Sequence, residues 1–234
     1  MTDLEPSHSV TSQPIESIFQ NTDFIALNKP EGASFHNENN LIGFFNFAKQ
    51  YFKIPLWPVH RLDKLTSGII ILAKSAKVAQ QFGAMFEDKL IEKTYLAISD
   101  KKPIKKQGNI IGDMKKSRNG SWMLTKGKIN PAHTKFHSFS LIPKMRLFVI
   151  KPLTGKTHQI RVALKSLGSP ILGDSRYAGN NSDRAYLHAF KIKFIWNNKV
   201  IEIENKPTQG ELFQLPEMQK ALEKLSSNAN PLTQ

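Results

Sequence analysis

Apolar positions follow two periods along the chain, and the changes of period mark its elements. From Phe190 to Trp196 every second residue is large and apolar (Phe190, Ile192, Phe194, Trp196), alternating with Lys191, Lys193 and Ile195. That is the pattern of a strand with one buried face, and Asn197 and Asn198 predict a tight turn from it into "KVIEIE". Elsewhere the spacing is three or four. Leu41, Phe44, Phe45, Ala48 and Phe52 predict one helix, and Val78, Phe82, Met85 and Phe86, capped by Ser75, predict a second. Ile160, Ala163, Leu164 and Leu167 predict a third that begins near Thr157 and stops at Gly168. A fourth carries Leu215, Met218, Leu222 and Leu225. Ile69 to Ala73 is apolar throughout, which assigns it to the middle of a sheet, buried on both faces.

The remaining segments read mainly as strands. "SIFQNTDFIALNKPEG" predicts two short strands about a polar turn at Gln20 to Asp23, then a turn at Pro30, Glu31 and Gly32. "EKTYLAISD" is a strand, and "HTKFHSFSLI" and "MRLFVIKPL" pair about Pro143 and Lys144. Lys101 to Lys128 is interrupted by Gly108, Gly112, Gly120 and Gly127 and predicts an irregular or hairpin-like excursion. Residues 1–14 are expected to form a disordered leader and 227–234 a disordered tail, leaving 15–226 as a single α+β domain on a largely antiparallel sheet. No internal repeat is evident.

Charge changes the picture. Lys and Arg number 33 against 19 Asp and Glu, a formal charge of +14. A polyanionic partner is implied, and nucleic acid is favoured over a membrane surface because no basic amphipathic helix stands out. The chain has no cysteine, which excludes disulfides, thiolate metal sites and cysteine nucleophiles. Its apolar runs fall well short of the roughly 20 residues a membrane helix needs. A cytoplasmic protein is expected.

Candidate chemistry concentrates in two places. In "HRLDKLTSG", Asp63 follows His60 and Arg61 and precedes Thr66, Ser67 and Gly68, between a loop and the buried strand. A carboxylate there faces a pocket or caps the turn, and Arg61 pairs with it or reaches a phosphate. In "GKTHQIR", Arg161 sits at the edge of the third helix's apolar stripe, where it extends into a cleft or lies in solvent. Tyr95 on its strand is either core or a surface on which a base stacks. His133 and His137 share a strand face without a third ligand, which argues against a metal site.

Four blocks, "HRLDKLTSGIIILAKS", "EKTYLAI", "GKTHQIRVALKSLGSPILGDSRYAG" and "LHAFKIKF", resemble in order and spacing the RluA-type pseudouridine synthases. The resemblance covers about Ile15 to Lys206. It implies the pseudouridine synthase fold, a bent, largely antiparallel mixed sheet with flanking helices and a central RNA-binding cleft. It also implies isomerisation of uridine in ribosomal or transfer RNA without cofactor. Apart from the resemblance, a monomer holding no metal is expected. Carried over by motif, Asp63 is the catalytic aspartate, Tyr95 stacks on the uracil, and Arg161 pairs with Asp63. Arg61 replaces the extruded nucleotide or contacts its backbone. His60, Thr66, Lys156, His158, Gln159 and Leu187 are the expected substrate-binding set. Lys64, Leu65, Lys156 and Ala163 depart from residues frequent in the family, which bears on target choice. The chain before Ile15 is too short for the S4-like RNA-binding domain of many relatives, so recognition is expected to fall to the excursion, with Lys105, Lys106, Lys115 and Lys116 on the RNA backbone. An RNA-binding or RNA-folding protein on the same scaffold, with catalysis lost, is the alternative.

Overall fold

A computed structural model of the chain describes residues 14–227. The expected leader and tail lie outside that range apart from one residue at each boundary. In chain order, β1 (Ser17–Gln20) and β2 (Phe24–Lys29) form a hairpin whose turn is tied by Asn21, its side-chain oxygen accepting from the amides of Asp23 and Phe24. Then come α1 (Phe44–Phe52), β3 (Trp57–Pro58), β4 (Ser67–Ala73), α2 (Ala76–Glu87) and β5 (Glu92–Ser99). The excursion contributes β6 (Gln107–Gly112), β7 (Met114–Lys116) and β8 (Trp122–Leu124). The chain continues through β9 (Ala132–Ile142), β10 (Met145–Pro152), α3 (Gln159–Ser166), β11 (Leu187–Trp196), β12 (Lys199–Glu204) and α4 (Pro216–Ser226).

Ten of the strands form one sheet in the order β1-β2-β4-β11-β5-β10-β9-β6, with β12 on β11 and β3 on β4. Every pairing is antiparallel except that of β4 with β11, a short parallel contact of Ser67 and Gly68 with His188 and Ala189. At that joint Gly68 has φ +107, and a Cβ on it would meet the carbonyl oxygen of Ala189 at 2.3 Å, so no other residue fits. The joint fixes the start of β4, and with it the loop that carries Asp63.

The expectation for Ile69 to Ala73 holds residue by residue. Ile70 and Leu72 pack with Ile25, Leu27, Phe44 and Ala48 on the α1 side. Ile69, Ile71 and Ala73 pack with Phe24, Val78 and Phe82 on the α2 side. The third cluster joins β5, β9 and β10 to α3 and α4 through Leu96, Phe148, Leu164 and Leu222. Phe24 and Phe82 each contact Phe194 and Trp196, with ring centroids 4.8 to 5.7 Å apart, so the alternating face of β11 closes the α2 side.

Two expectations need correction. The first helix begins at Phe44 and not near Leu41, which is exposed and bridged to Glu38, because Gly43 is extended (φ −77, ψ 157) and caps the helix there. The third begins at Gln159, two residues after Thr157, because His158 has φ 57. The 101–128 excursion takes the hairpin-like of its two expected forms: β6 joins the main sheet beside β9, and β7 and β8 form a separate hairpin. No helix of the described residues is long and apolar enough to cross a membrane.

Candidate active site

Asp63 stands where the loop enters β4, its carbonyl accepting from the amide of Thr66 in a tight turn. The loop is anchored from below by Lys29, fully buried, whose Nζ donates to the carbonyls of Pro30, Ala33 and Lys64 at 2.8, 2.8 and 3.3 Å. Two adjoining cavities of about 420 and 510 Å³ open on either side of Asp63 and share Arg61, Leu62, Asp63, His158 and Arg161. The first is also lined by Tyr95 and Leu187, the second by His36, Glu38 and Arg176. Both are in the size range of small-ligand pockets.

Arg161 is buried, so the solvent-facing reading fails. Its Nη1 lies 3.4 Å from Asp63 Oδ2. Its stronger partner is one the motif reading missed. Asp174, also fully buried, accepts from Nε at 2.7 Å and from Nη2 at 2.9 Å, the two-pronged geometry that holds a guanidinium in one plane. Tyr177 lies under the same guanidinium, ring centroid 4.8 Å away, and completes the cradle. Burial alone would lower the Arg161 pKa, but the hydrogen bonds and charge of Asp174 outweigh it and raise the value, so the cation is permanent. A positive charge is therefore fixed beside Asp63, whose Oδ1 has no hydrogen bond among the described residues.

Tyr177 connects this centre to the excursion. Its hydroxyl accepts from the amide of Trp122 in β8 at 2.9 Å and is hydrogen-bonded to His158 Nδ1 at 2.8 Å. Arg176 donates to the carbonyl of Asn119 at 2.9 Å. The hairpin thus rests on the turn that holds Asp174. Burial lowers the pKa of His158, with Arg161 and Arg176 adding to it and Asp63 and Asp174 opposing it, which favours the neutral imidazole.

The other expected site residues divide by what they already bind. Tyr95 and Leu187 face the first cavity, and burial, then the charge of Asp63, push the Tyr95 hydroxyl up, keeping it protonated. Thr66 is buried in the same wall. Arg61 is exposed, borders both cavities and has no partner among the described residues, so its guanidinium is available to an incoming group. His60 Nε2 accepts from the amide of Ile71 at 2.9 Å, and burial pushes its pKa down to about 3, so it fastens the loop to β4 as a neutral ring. Gln159 accepts from Thr154 Oγ1 and the Lys156 amide and donates to the His133 carbonyl and Thr134 Oγ1, which occupies its amide with the loop before α3. Lys156 donates to Asn130. Lys105, Lys106, Lys115 and Lys116 are all exposed, the last two on β7. His133 and His137 bind Asn109 and Gln107 across the β6–β9 ladder.

A carboxylate beside a fixed cation, an aromatic wall and a free arginine at the mouth suit a flat base with its sugar against Asp63. Comparisons with known proteins agree. Residues 23–166 match the family model described as RNA pseudouridylate synthase. An uncharacterized RNA pseudouridine synthase of Haemophilus influenzae is 50% identical over 86% of this chain and 92% of its own length. The ribosomal large subunit pseudouridine synthase C of Rickettsia bellii is 33% identical over 75% of this chain and 62% of its own length, so the chain spans less than two thirds of that relative. Among solved structures, human RNA Pseudouridylate Synthase Domain Containing 1 superposes with a TM-score of 0.73 over 96% of this chain and 98% of that one, at 20% identity, and shares the fold.

Proposed function

Because the chain belongs to the RluA-type RNA pseudouridine synthases, we propose that Asp63 is the residue through which it isomerises uridine in RNA. The observation that carries this reading is the position of Asp63 at the meeting point of two cavities, 3.4 Å from the clamped guanidinium of Arg161 and with Oδ1 unengaged. The target uridine leaves its stack, at a cost of a few kcal/mol. Its uracil lies against Tyr95 and Leu187, and Arg61 meets the vacated stack or the backbone. Asp63 then acts at the sugar, as nucleophile at C1′ or as base at C2′. Either role uses an anion, which the neighbouring cation favours. Nothing is hydrolysed, so a second positioned acid, as in a glycosidase, is not required.

Residues 15–226 work as one catalytic domain, a reading supported by the continuous sheet, and a single chain carries every side chain named here, which supports action as a monomer. The target is a uridine of ribosomal or transfer RNA in the cytoplasm. The name of the Rickettsia bellii relative, which specifies the large ribosomal subunit, favours the first. Lys105, Lys106, Lys115 and Lys116 contact the RNA backbone.

The test is pseudouridine mapping on total RNA from cells carrying the wild-type protein, Asp63→Ala, or none. A site present only with wild type establishes the activity of Asp63 and names the target. Identical maps with wild type and Asp63→Ala refute the assignment.

A further inference from the structure

Lys93 is a cation of the cleft wall that the proposed reaction leaves unused. It lies two residues from Tyr95 on β5, so the two side chains leave the same face about 6.6 Å apart, and both line the first cavity. It is half-buried, with Val59, His60, Phe86 and Ile91 also in that wall. Its ammonium has neither an ion pair nor a hydrogen bond among the described residues; its one contact is with the ring of Phe86, 5.7 Å from the centroid. The neighbouring strand residue, Glu92, is engaged by Lys151 instead. Arg161 is clamped by Asp174 and Lys156 is bonded to Asn130, whereas Lys93 is held inside the cleft with no acceptor. Burial lowers its pKa, the cost of keeping such a charge there. Asp63 stands at the junction with the second cavity, whereas Tyr95 and Lys93 line only the first, so the cleft runs from Asp63 at one end into the wall that carries Tyr95 and Lys93.

This arrangement has a chemical meaning. Whether Asp63 works at C1′ or at C2′, the C1′–N1 bond breaks and its electron pair leaves with the base. The released uracil is an anion, its charge shared by N1, O2 and O4. The ring then turns over about the line through N3 and C6, C5 takes the place of N1, and C5 bonds to C1′. The proton on C5 is lost and N1 gains one, so the exchange balances with no other reactant. In uridine the carbonyl opposite the bonded ring atom is C4–O4. After the turn it is C2–O2, in the same place.

Building on the Asp63 assignment, we propose that Lys93 is a catalytic residue, its ammonium receiving the carbonyl oxygen at the end of the cleft away from Asp63, O4 before the turn and O2 after it, and stabilising the uracil anion between. A cation without a competing acceptor is open to this charge as it forms, and its effect is largest where water is excluded.

The test is the single-turnover rate of tritium release from RNA carrying 5-tritiated target uridine, at saturating enzyme, with affinity measured separately by filter binding. Lys93→Met keeps the length and apolar body of the side chain. It is expected to lower the rate about 100-fold or more while leaving affinity within about twofold, the size of effect seen when one preorganised donor to a developing anion is removed. Lys93→Arg should recover part of the rate. An undiminished rate in Lys93→Met overturns the proposal. So does weaker binding with a flatter salt dependence and a normal rate at saturation, which would make Lys93 a phosphate contact. A second measurement does not depend on the variant folding: with wild-type enzyme, 4-thiouridine at the target, whose sulfur is the poorer acceptor, should react more slowly than uridine, and equal rates overturn the proposal. Asp63→Ala is run alongside. If it retains activity the Asp63 assignment fails; if it is inactive while Lys93→Met is fully active, only the Lys93 role fails.

Discussion

Replacing Asp174 by alanine removes both short hydrogen bonds to Arg161 and leaves the guanidinium with only the 3.4 Å contact to Asp63 and the ring of Tyr177. The side chains of Arg161 and Asp174 are 5% and 1% exposed. Truncating one partner of a buried pair costs about 3–5 kcal/mol because the other charge stays behind uncompensated. The remaining contacts of Arg161 put the expected loss near the lower bound, about 3 kcal/mol. Asp63→Ala removes a longer contact from a side chain that is 19% exposed, and the expected loss is ~0–1 kcal/mol, as for a partly solvated pair. Urea unfolding separates the two: with a slope of about 2–3 kcal/mol/M, Asp174→Ala should lower the midpoint by roughly 1 M or more and Asp63→Ala by less than about 0.5 M. Equal shifts, or a larger one for Asp63→Ala, would refute the assignment of Asp174 as the anchor of Arg161.

The remaining predictions concern the parts around this pair. Burial pushes Lys29 from 10.5 down to about 7, against the opposing pull of Glu31 and Asp63. Between those values the unfolded chain holds a proton that the folded one lacks, so the Lys29 contribution to stability is least below pH 7 and rises toward pH 10.5. The stability difference between wild type and Lys29→Met, followed by denaturant melts, should therefore move in favour of wild type from about pH 7 to about pH 9.5; a constant difference contradicts this. Tyr177→Phe keeps the ring under Arg161 but loses the hydroxyl between Trp122 and His158, which should cost ~1–2 kcal/mol and speed exchange of the Trp122 amide; unchanged exchange argues against the link. Neutralising Lys105, Lys106, Lys115 and Lys116 together should flatten the salt dependence of RNA binding by up to about 0.9 for each phosphate left without its cation, and an unchanged slope would remove them from the RNA path.

The sequence made the frame of this molecule readable wherever one residue's burial determined its neighbour's. Ile69 to Ala73 could only be a strand covered on both faces, and the alternation from Phe190 to Trp196 could only be one with a single buried face. Helix starts were less legible, because they depend on a single backbone conformation: His158 at φ 57 delays α3, and the extended Gly43 delays α1 and leaves Leu41 outside its stripe. At the site, Asp63, Tyr95 and Arg161 were marked by resemblance to a family, since periodicity alone left each with a plain structural role. Asp174 was missed, though it lay inside the stretch "GDSRYAG", because nothing in a loop sequence reveals that a carboxylate thirteen positions from Arg161 closes back upon it. Lys93 carries no signal of its own in the sequence, since a lysine in a strand reads as solvated, and only the fold sets its ammonium against Phe86 in the cleft wall.

The parallel joint between β4 and β11 has a consequence in time. Ser67 and His188, bonded there at 2.8 Å, are 121 residues apart in the chain. At about 5–20 residues per second a ribosome needs roughly 6–24 s to make the intervening segment. Through that interval Gly68 has β2 on one side but no β11 on the other, and contacts of such long sequence separation are the slowest to close. Leu187, which belongs to the joining strand, also completes the wall opposite Asp63. The cleft therefore comes into being among the last features of the fold, and a nascent chain displaying Asp63 and Arg61 is a basic polypeptide near abundant RNA without yet being an enzyme.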